Sequence, residues 1–330
     1  MNWKGTTTLV TGAGGFIGSH LVEALVRRGA RVRAFVHYNS RNDWGQLERV
    51  PDSVLRNVEV VAGDVRDPFF VATAVTGCEV VFHLAALIPI PYSYMAPQSF
   101  VETNVLGTLN VLEACRAASV PRLVHTSTSE TYGTAHADLM DETHPVHAQS
   151  PYAASKVGAD KLVESYVCSY GLPAVTVRPF NTYGPRQSAR AVIPSIATQT
   201  LAQRKRVATG SLTPVRDFSY VSDTVEGFLD VAELDDAAGE VFNIGTGEGV
   251  AIGEVGRAII ELCGNGARLV RDERRVRPEA SEVTRLVCDS TKLRARTGWH
   301  PRVPLREGLE RTIEFVSQHL AEYKANLYNV

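Results

Sequence analysis

The stretch SPYAASK contains a tyrosine and a lysine four positions apart, Tyr152 and Lys156. The residues around them, SPYAASKVGADKLVESYVCSYG, predict a helix, and side chains at positions i and i+4 lie on one helix face. An ammonium group beside a phenol favours the phenolate and lowers the pKa of the phenol from its ordinary value of about 10. Such a phenol can act as a base toward a sugar or steroid hydroxyl. The spacing therefore predicts a proton-transfer pair, although it also occurs by chance on ordinary helices.

One carboxylate, Glu130, follows the predicted strand RLVHTST (residues 122–128). Two hydroxyl residues, Thr128 and Ser129, come directly before it. Strand ends commonly meet water, so a solvated strand end is one interpretation of this step. The other interpretation is a base that acts on the same substrate as the tyrosine.

Three glycines, Gly12, Gly15 and Gly18, form the pattern G-x-x-G-x-x-G in VTGAGGFIGSHL. They follow the first predicted strand and open the helix predicted over GSHLVEALVRRG, and we predict that Phe16 and Ile17 of the loop also contact the cofactor. Glycines permit a tight turn and the close approach of a pyrophosphate, which the free N–H groups of a helix N-terminus can bind. In this strand–turn–helix context the pattern predicts a dinucleotide-binding loop.

Two later strand ends fit the same ligand. Asp64 and Val65 follow the strand in VEVVAGDVRD, where the carboxylate can accept a hydrogen bond from an adenine amine. Leu84, Ala85 and Ala86 follow EVVFH, where small residues let a cofactor lie against the backbone. We predict that both strand ends contact the dinucleotide.

The end of the second strand, FVHYNSRND, bears on the choice of cofactor. An NAD site usually carries Asp or Glu about 20 residues after the glycines, but His37, Tyr38 and Asn39 stand at that point. Arg41 follows, and its guanidinium suits a 2′-phosphate. We therefore predict NAD(P) binding that involves His37, Asn39 and Arg41, with NADP slightly favoured.

The elements that must position these residues alternate between short apolar strands and amphipathic helices over the first 180 or so residues. This alternation predicts an α/β fold, a Rossmann-type doubly wound parallel sheet with helices on both faces. After RPFNTYGPRQ the alternation breaks down, which predicts a smaller, mixed α/β lobe that binds the substrate. We assign 1–178 plus about 217–248 to the NAD(P)-binding domain, and about 179–216 plus 249–330 to this interleaved lobe.

Composition excludes several classes of function. The formal net charge of −2 over 330 residues predicts no nucleic-acid partner and no attraction to an anionic membrane. No apolar run approaches the roughly 20 residues of a membrane span. Five scattered cysteines without C-x-x-C spacing predict reduced thiols, no metal site and a cytoplasmic location.

From end to end, the chain resembles the extended short-chain dehydrogenase/reductase family of nucleotide-sugar epimerases and dehydratases. The matching stretches are TGAGGFIGSHL, GDVRD, HLAA, STSETYG, SPYAASK, RPFNTYGPRQ, RDFSYVSD and NIGTG. The resemblance implies Thr128 as the hydroxyl beside the tyrosine, Tyr152 as acid/base, and Lys156 as partner of the ribose and the phenol. It also implies a nucleotide-diphosphate sugar substrate and a tightly bound NAD(P) that is regenerated in each turnover.

Glu130 matches the acid of the family's 4,6-dehydratases, whereas plain 4-epimerases usually lack a carboxylate there. In dTDP-glucose dehydratases an Asp precedes this Glu and protonates the leaving hydroxyl, but Ser129 stands here. The longer stretches HTSTSETYGTA, GSLTPVRDF and RVRPEASEV are most similar to the retaining UDP-N-acetylglucosamine-type 4,6-dehydratases of legionaminic-acid-type pathways. The resemblance thus predicts a 4,6-dehydratase whose catalytic residues are Thr128, Ser129, Glu130, Tyr152 and Lys156.

On the substrate side, the resemblance implies that Asn181 bonds a phosphate or the sugar and that Thr128 also binds the substrate. It also implies that Arg216 and Arg277 clamp the diphosphate, since planar guanidinium groups bind phosphates with paired hydrogen bonds. Three further arginines are weaker candidates for the same role: Arg178, Arg186 and Arg190.

The family dimerises through two helices, which match GTLNVLEACRAA and PYAASKVGADKLVESYVCSY here, so we expect a homodimer joined by a four-helix bundle. Their apolar stripes have a second interpretation, that they only cover the sheet.

Two alternative functions also stay open. One is a sister enzyme, a 4-epimerase or a UDP-glucuronate decarboxylase; the other is a non-catalytic NAD(P)-binding sensor on the same fold.

Overall fold

The structure is a computed structural model that describes residues 1–325 and 327–328. Within those residues the strands, in chain order, are β1 (Thr7–Thr11), β2 (Arg31–His37), β3 (Val58–Gly63), β4 (Val80–His83), β5 (Arg122–Thr126), β6 (Ala174–Pro179), β7 (Asn181–Tyr183), β8 (Arg206–Thr209), β9 (Val215–Tyr220), β10 (Val241–Ile244), β11 (Gly249–Ala251), β12 (Arg268–Arg271) and β13 (Arg285–Leu286).

The α-helices of the same residues are α1 (Phe16–Arg27), α2 (Asp52–Leu55), α3 (Pro68–Val75), α4 (Ile90–Met95), α5 (Pro97–Phe100), α6 (Gly107–Ala117), α7 (Pro151–Tyr170), α8 (Val192–Leu201), α9 (Val221–Glu233), α10 (Ile252–Cys263), α11 (Thr291–Thr297) and α12 (Leu305–Gln318). A π-helical stretch, Val101–Leu106, leads into α6. Short 3₁₀ turns lie at Gly45–Arg49, Ser129–Thr131, Glu273–Arg275 and Glu279–Ser281.

Seven parallel strands form the main sheet, in the order β10-β6-β5-β4-β1-β2-β3. The chain winds outward from β1 in one direction and from β4 in the other, so the strand order reverses between these two neighbours. Their carboxyl ends lie side by side, because Thr11 pairs with His83 in the register. Ligands of doubly wound sheets bind at such a switch point. The predicted α/β, Rossmann-type fold is confirmed.

Both faces of the main sheet are covered, which explains why its strands are nearly continuous apolar runs. On one face Leu21 and Leu25 of α1 pack in a core that also contains α9 side chains. On the other face Val111 and Leu112 of α6 pack with Val163 of α7. Helices α6 and α7 therefore lie together on the face of the sheet where the tyrosine and lysine are carried.

The second part of the molecule contains two small sheets. One has the order β11-β9-β13, with β7 paired to β9, and the other pairs β12 with β8. Between β9 and β11 the chain returns through α9 and β10 to the main sheet, so the two parts are interleaved in sequence. The proposed residue boundaries of the two lobes stay a prediction.

The structure differs from the predicted elements at the end of β5. The strand predicted over residues 122–128 ends at Thr126, and Ser129–Thr131 form a 3₁₀ turn capped by Thr128, whose hydroxyl accepts from the Glu130 N–H at 3.3 Å. Glu130 therefore lies on a turn rather than at a strand tip. No helix among residues 1–325 and 327–328 is long and apolar enough to cross a membrane.

Candidate active site

The glycine loop joins β1 to α1 in the conformation that a pyrophosphate site requires. Gly12 has a φ of +70°, and a Cβ atom there would lie 2.8 Å from the backbone nitrogen of Ala85. A Cβ on Gly18 would collide with the carbonyl of Gly12, so this glycine allows α1 to pack closely on the loop. The loop is thus a cradle of bare backbone at the N-terminus of α1, beside Phe16 and Ile17, and its residues fit a dinucleotide.

The segment after β4 lies directly beside this cradle. The Thr11 hydroxyl accepts from the N–H groups of Leu84 and Ala85, each at 3.1 Å, and contacts Nδ1 of His83 at 2.8 Å. Leu84, Ala85 and Ala86 are half-buried. The structure therefore brings the predicted small residues to the glycine loop.

The loop after β2 is held by Asn39. Its amide nitrogen donates to the carbonyl of Asp43 at 2.7 Å, and its oxygen accepts from the N–H of Arg41 at 3.1 Å. The Arg41 side chain is 82% exposed and pairs with the Asp43 carboxylate at 3.3 Å. His37 ends β2 at the surface. Asp43 is a further carboxylate on this loop.

Asp64 follows β3, as predicted, but its carboxylate already has a partner. It accepts hydrogen bonds from the guanidinium of Arg66, with Oδ2 2.6 Å from Nη2, and from the Arg66 N–H at 2.9 Å. These hydrogen bonds lower the pKa of Asp64. Val65 is buried, and its carbonyl accepts from Asn110 at 2.9 Å. Contact of Asp64 with an adenine stays a prediction.

Tyr152 and Lys156 are held by α7, which starts at a capping hydroxyl. Ser150 accepts from the N–H of Ala153 at 3.1 Å, and Pro151 occupies the first turn, where a missing N–H costs nothing. Tyr152 is 7% exposed and Lys156 is 4% exposed. The predicted helix therefore buries the pair at the carboxyl end of β5.

The pKa of Tyr152 differs from the expectation. Burial raises the pKa of the phenol, a hydrogen bond with Thr128 lowers it, and the charge of Glu130 raises it further. The ammonium of Lys156 instead donates to the carbonyl of Thr126 at 2.5 Å. The expected lowering of the Tyr152 pKa by Lys156 is therefore wrong, because burial dominates.

Glu130 belongs to a cluster of charged side chains whose other members come from the second lobe. Nη1 of Arg277 lies 3.8 Å from Oε1 of Glu130 and 3.8 Å from Oε1 of Glu282. Arg216 is 4% exposed and pairs with Glu282 at 3.4 Å. Burial lowers the pKa of the Arg216 guanidinium, while Glu130 and Glu282 act in the opposite direction. Arg277 thus reaches the carboxylate that we predicted as a base, and Arg216 is linked to Arg277 through their shared partner Glu282.

Glu282 is a residue of this cluster that sequence reasoning missed. Its position five residues after Arg277 gives no periodic signal, because it follows the 3₁₀ turn Glu279–Ser281. Two of the weaker arginine candidates are committed to internal carboxylates. Arg178 pairs with Asp160 at 2.9 Å and Arg186 pairs with Glu23 at 2.8 Å, so both serve the interior of the protein rather than a substrate.

Asn181 begins β7 and is half-buried beside Phe218 of β9. It lies where the chain leaves β6 for the second lobe.

Ser129 is buried, and its carbonyl accepts from the Tyr132 N–H at 3.1 Å. Among the described residues no group of three or more His, Cys, Asp or Glu side chains could hold a metal ion.

Comparison with known proteins identifies the family of this site. The family described as GDP-mannose 4,6 dehydratase matches residues 9–312. The chain is 33% identical over 319 residues to a dTDP-glucose 4,6-dehydratase of Streptomyces niveus, covering 95% of this chain and 93% of that protein. It is 35% identical over 315 residues to a UDP-glucose 4-epimerase of Mycolicibacterium smegmatis, covering 93% and 97%.

A solved structure agrees with the fold. DesIV, a dTDP-glucose 4,6-dehydratase from Streptomyces venezuelae solved with NAD bound, is similar with a TM-score of 0.83 and 29% identity, covering 97% of this chain and 99% of that one. The chain therefore belongs to the GDP-mannose 4,6-dehydratase family of extended short-chain dehydrogenases/reductases, the nucleotide-sugar epimerases and dehydratases. The predicted family and class of enzyme are confirmed.

Proposed function

We propose that the chain is a nucleotide-sugar 4,6-dehydratase that converts a nucleotide-diphosphate hexose to its 4-keto-6-deoxy product. The observation that carries this proposal is the position of Glu130. Its carboxylate lies on the turn capped by Thr128 and is close enough to raise the pKa of the buried Tyr152. Two proton-transfer groups in one site are what oxidation followed by elimination requires.

Each residue then has a defined step. Tyr152 takes the proton of the C4 hydroxyl as its phenolate, which the hydrogen bond with Thr128 favours, while the hydride leaves C4. Bound NAD(P) supplies the acceptor for this hydride and the donor for its return to C6. The 4-ketone acidifies the C5 proton, and Glu130 removes it as the C6 hydroxyl leaves as water. Glu130, after exchange with solvent, returns a proton to C5 when the hydride adds to C6. Ser129 or a water molecule delivers the proton to that leaving group.

The cofactor would bind along the carboxyl edge of the main sheet. The backbone around Gly12 and the N-terminus of α1 would hold the pyrophosphate, with Ala85 against the cofactor and Lys156 at the ribose. We propose NAD(P), with NADP slightly favoured, because Arg41 is an exposed cation on the loop after β2. The paired Asp43 makes binding of NAD compatible with the same loop.

The substrate would enter between the sheet edge and the second lobe. We propose that Arg216 and Arg277 bind its diphosphate, that Asn181 bonds a phosphate or the sugar, and that the sugar is of the UDP-N-acetylglucosamine type. The support for this sugar is the similarity of GSLTPVRDF and RVRPEASEV to that subgroup. Glu282 would orient both arginines, since it lies near each of them.

A second candidate function has support from one contact. A UDP-glucuronate decarboxylase needs a cation near the C6 carboxylate of its substrate, and Nη1 of Arg277 lies 3.8 Å from Glu130. That nitrogen is buried and has no hydrogen-bond partner among the described residues. A 4-epimerase, the other sister reaction, needs neither Glu130 nor this arginine for its chemistry.

One experiment separates these reactions. The purified protein is incubated separately with UDP-N-acetylglucosamine, dTDP-glucose, GDP-mannose, UDP-glucose and UDP-glucuronate, and each product is identified by mass and by NMR. We expect loss of one water and a 4-keto-6-deoxy sugar, with UDP-N-acetylglucosamine the best substrate. Loss of carbon dioxide would identify the decarboxylase, and C4 inversion at constant mass would identify the epimerase.

We also propose a homodimer. In each copy the interface would be formed by α7 and by the continuous helical segment that consists of Val101–Leu106 and α6. Three apolar side chains on these elements are exposed in the single chain: Val101 at 49%, Leu106 at 47% and Tyr170 at 58%. A second copy packed on this face would bury them in a four-helix bundle.

A further inference from the structure

Helix α7 carries a third ionisable residue in line with the tyrosine and the lysine. Tyr152, Lys156 and Asp160 are spaced i, i+4 and i+8, which places them along one face of the helix. Their exposures are 7%, 4% and 8%. A phenol, an ammonium and a carboxylate thus follow one another along a buried stripe that ends at the catalytic turn.

Asp160 accepts hydrogen bonds from three buried donors. Nε2 of His125 lies 3.1 Å from Oδ1, the Ser127 hydroxyl lies 2.6 Å from Oδ2, and Nη2 of Arg178 lies 2.9 Å from Oδ2. The carboxylate can only accept, so His125 must carry its proton on Nε2. A buried carboxylate is tolerated when it is paired in this way, and removal of its charge would leave these donors without their acceptor.

These bonds fasten the end of β5 to the helix. His125 and Ser127, which flank Thr126, bond to Asp160, and the Thr126 carbonyl accepts from Lys156 at 2.5 Å. The next residue is Thr128, the hydroxyl that contacts Tyr152. Residues 125–128, at the end of β5, therefore each contact one of the three residues of the stripe on α7.

The second effect of Asp160 is on the pKa of Lys156. Burial lowers the pKa of Lys156 to about 8, and the negative charge of Asp160 acts in the opposite direction. Burial lowers the pKa of His125 on β5 and of His83 on β4, so both imidazoles are neutral and add no charge. Arg178 on β6 is a second buried cation, and its guanidinium pairs with the Asp160 carboxylate at 2.9 Å.

Asp160 itself is ionised at neutral pH. Burial raises its pKa, but hydrogen bonds from His125 and Ser127 and the positive charge of Arg178 outweigh that effect and lower the pKa to about 2. A permanent negative charge therefore lies one helical turn beyond Lys156, on the side opposite to Tyr152.

We propose that Asp160 is a positioning residue that keeps Lys156 in its charged form and fixes the β5 end so that Thr128 meets Tyr152. The inference rests on the proposed role of Tyr152 and Lys156 in proton transfer. It does not depend on which sugar reaction follows, because every candidate reaction begins with proton removal at C4.

The direct test measures the titration of Lys156 without any substrate. The sequence has six lysines, so the Cε resonances of protein labelled with carbon-13 lysine are few, and Lys156→Arg identifies the one of interest. We expect Asp160→Asn to lower the titration midpoint of Lys156 by about one pH unit or more, the shift typical of a lost opposite charge nearby. Ser127→Ala, which removes a hydrogen bond to Asp160 and no charge, should leave the midpoint in place. An unchanged midpoint in Asp160→Asn would overturn the proposal.

A second variant covers the case in which Asp160→Asn does not fold. Arg178→Gln removes the cation that pairs with the Asp160 carboxylate. The titration midpoint of Lys156 should therefore rise rather than fall. A midpoint that stays in place or falls in this variant contradicts the proposal.

Activity supplies an independent readout. If the wild type turns over a nucleotide sugar, the alkaline limb of the kcat/KM profile should lie at lower pH in Asp160→Asn than in the wild type. A purely structural defect would instead lower kcat/KM equally at every pH, and that result would contradict the proposal. If no nucleotide sugar is turned over, the proposed function fails, and the lysine titration still decides the role of Asp160.

Discussion

At the scale of single residues, the acid/base role of Tyr152 depends on its surroundings more than on its spacing from Lys156. The sequence identifies the pair because i and i+4 side chains share a helix face. It cannot show that burial raises the pKa of the phenol, or that the ammonium donates to a backbone carbonyl. Those facts depend on how deeply α7 packs against β5, which only the folded chain determines.

Tyr152→Phe should abolish the first oxidation with little effect on binding of the nucleotide sugar. The substitution removes one oxygen from a buried ring, so the packing survives while proton transfer at C4 is lost. We expect kcat to fall by about 10²–10⁴-fold, the usual contribution of a general base. Single-turnover reduction of the bound cofactor measures this step, and titration of substrate into the variant supplies the control. Retention of more than about a tenth of wild-type turnover would exclude Tyr152 as the base.

At the scale of elements, the glycine loop shows what a short motif can predict. Its strand–turn–helix context indicates the tight turn, and the structure adds the reason for Gly12, which is the approach of Ala85. Glu282 and Asp160 escaped prediction for different reasons. Asp160 continues the spacing of Tyr152 and Lys156 and could have been found by extending the pattern, whereas the ion pair of Glu282 with Arg216 joins segments 66 residues apart.

Gly12→Ala should weaken cofactor binding by about tenfold or more, equivalent to about 1.4 kcal/mol. The added Cβ would lie 2.8 Å from the Ala85 nitrogen and would force the loop away from its cradle conformation. Gly77→Ala is the matched control, because Gly77 has a φ of +76° and nothing within 4 Å of the added Cβ. Both variants carry similar backbone strain. Equal loss of cofactor affinity in the two would contradict a specific role for the loop.

The loop after β2 makes a separate prediction about the cofactor. Because no acid directly follows β2 and Arg41 is exposed, NADP should bind at least as well as NAD. Titration of both dinucleotides into cofactor-free protein measures the ratio, and Arg41→Ala should lower the affinity for NADP more than that for NAD. A preference of the wild type for NAD of more than about tenfold would show that Asp43 or another group selects the ribose hydroxyl.

At the scale of the whole molecule, the interleaved chain brings charges from the second lobe to the edge of the main sheet. Arg216 of β9 and Arg277 meet at the site of Glu130, which follows β5. The sequence could indicate each arginine through resemblance, but it could not show that they share a partner. Long-range ion pairs depend on the relative position of the two parts, and no local pattern encodes that.

The proposed dimer makes a prediction at this scale. Leu106→Glu should convert the dimer to a monomer, because it places a charge on the proposed four-helix face. Leu139→Glu is the control, since Leu139 is 44% exposed against 47% for Leu106 but lies outside that face. Light scattering coupled to size exclusion measures the mass. A monomeric wild type, or a dimeric Leu106→Glu protein, would contradict the proposed interface.

The central claim is that Glu130 removes the C5 proton, and an isotope experiment tests it most directly. In D₂O the wild type should place solvent deuterium at C5 of its 4-keto-6-deoxy product. Glu130→Gln keeps the shape but cannot accept the proton, so it should still bind cofactor and substrate and carry out the C4 oxidation while elimination stalls. Binding must be measured in the variant, because Arg277 loses an ion-pair partner at 3.8 Å. A Glu130→Gln protein that eliminates water at near the wild-type rate would contradict the account.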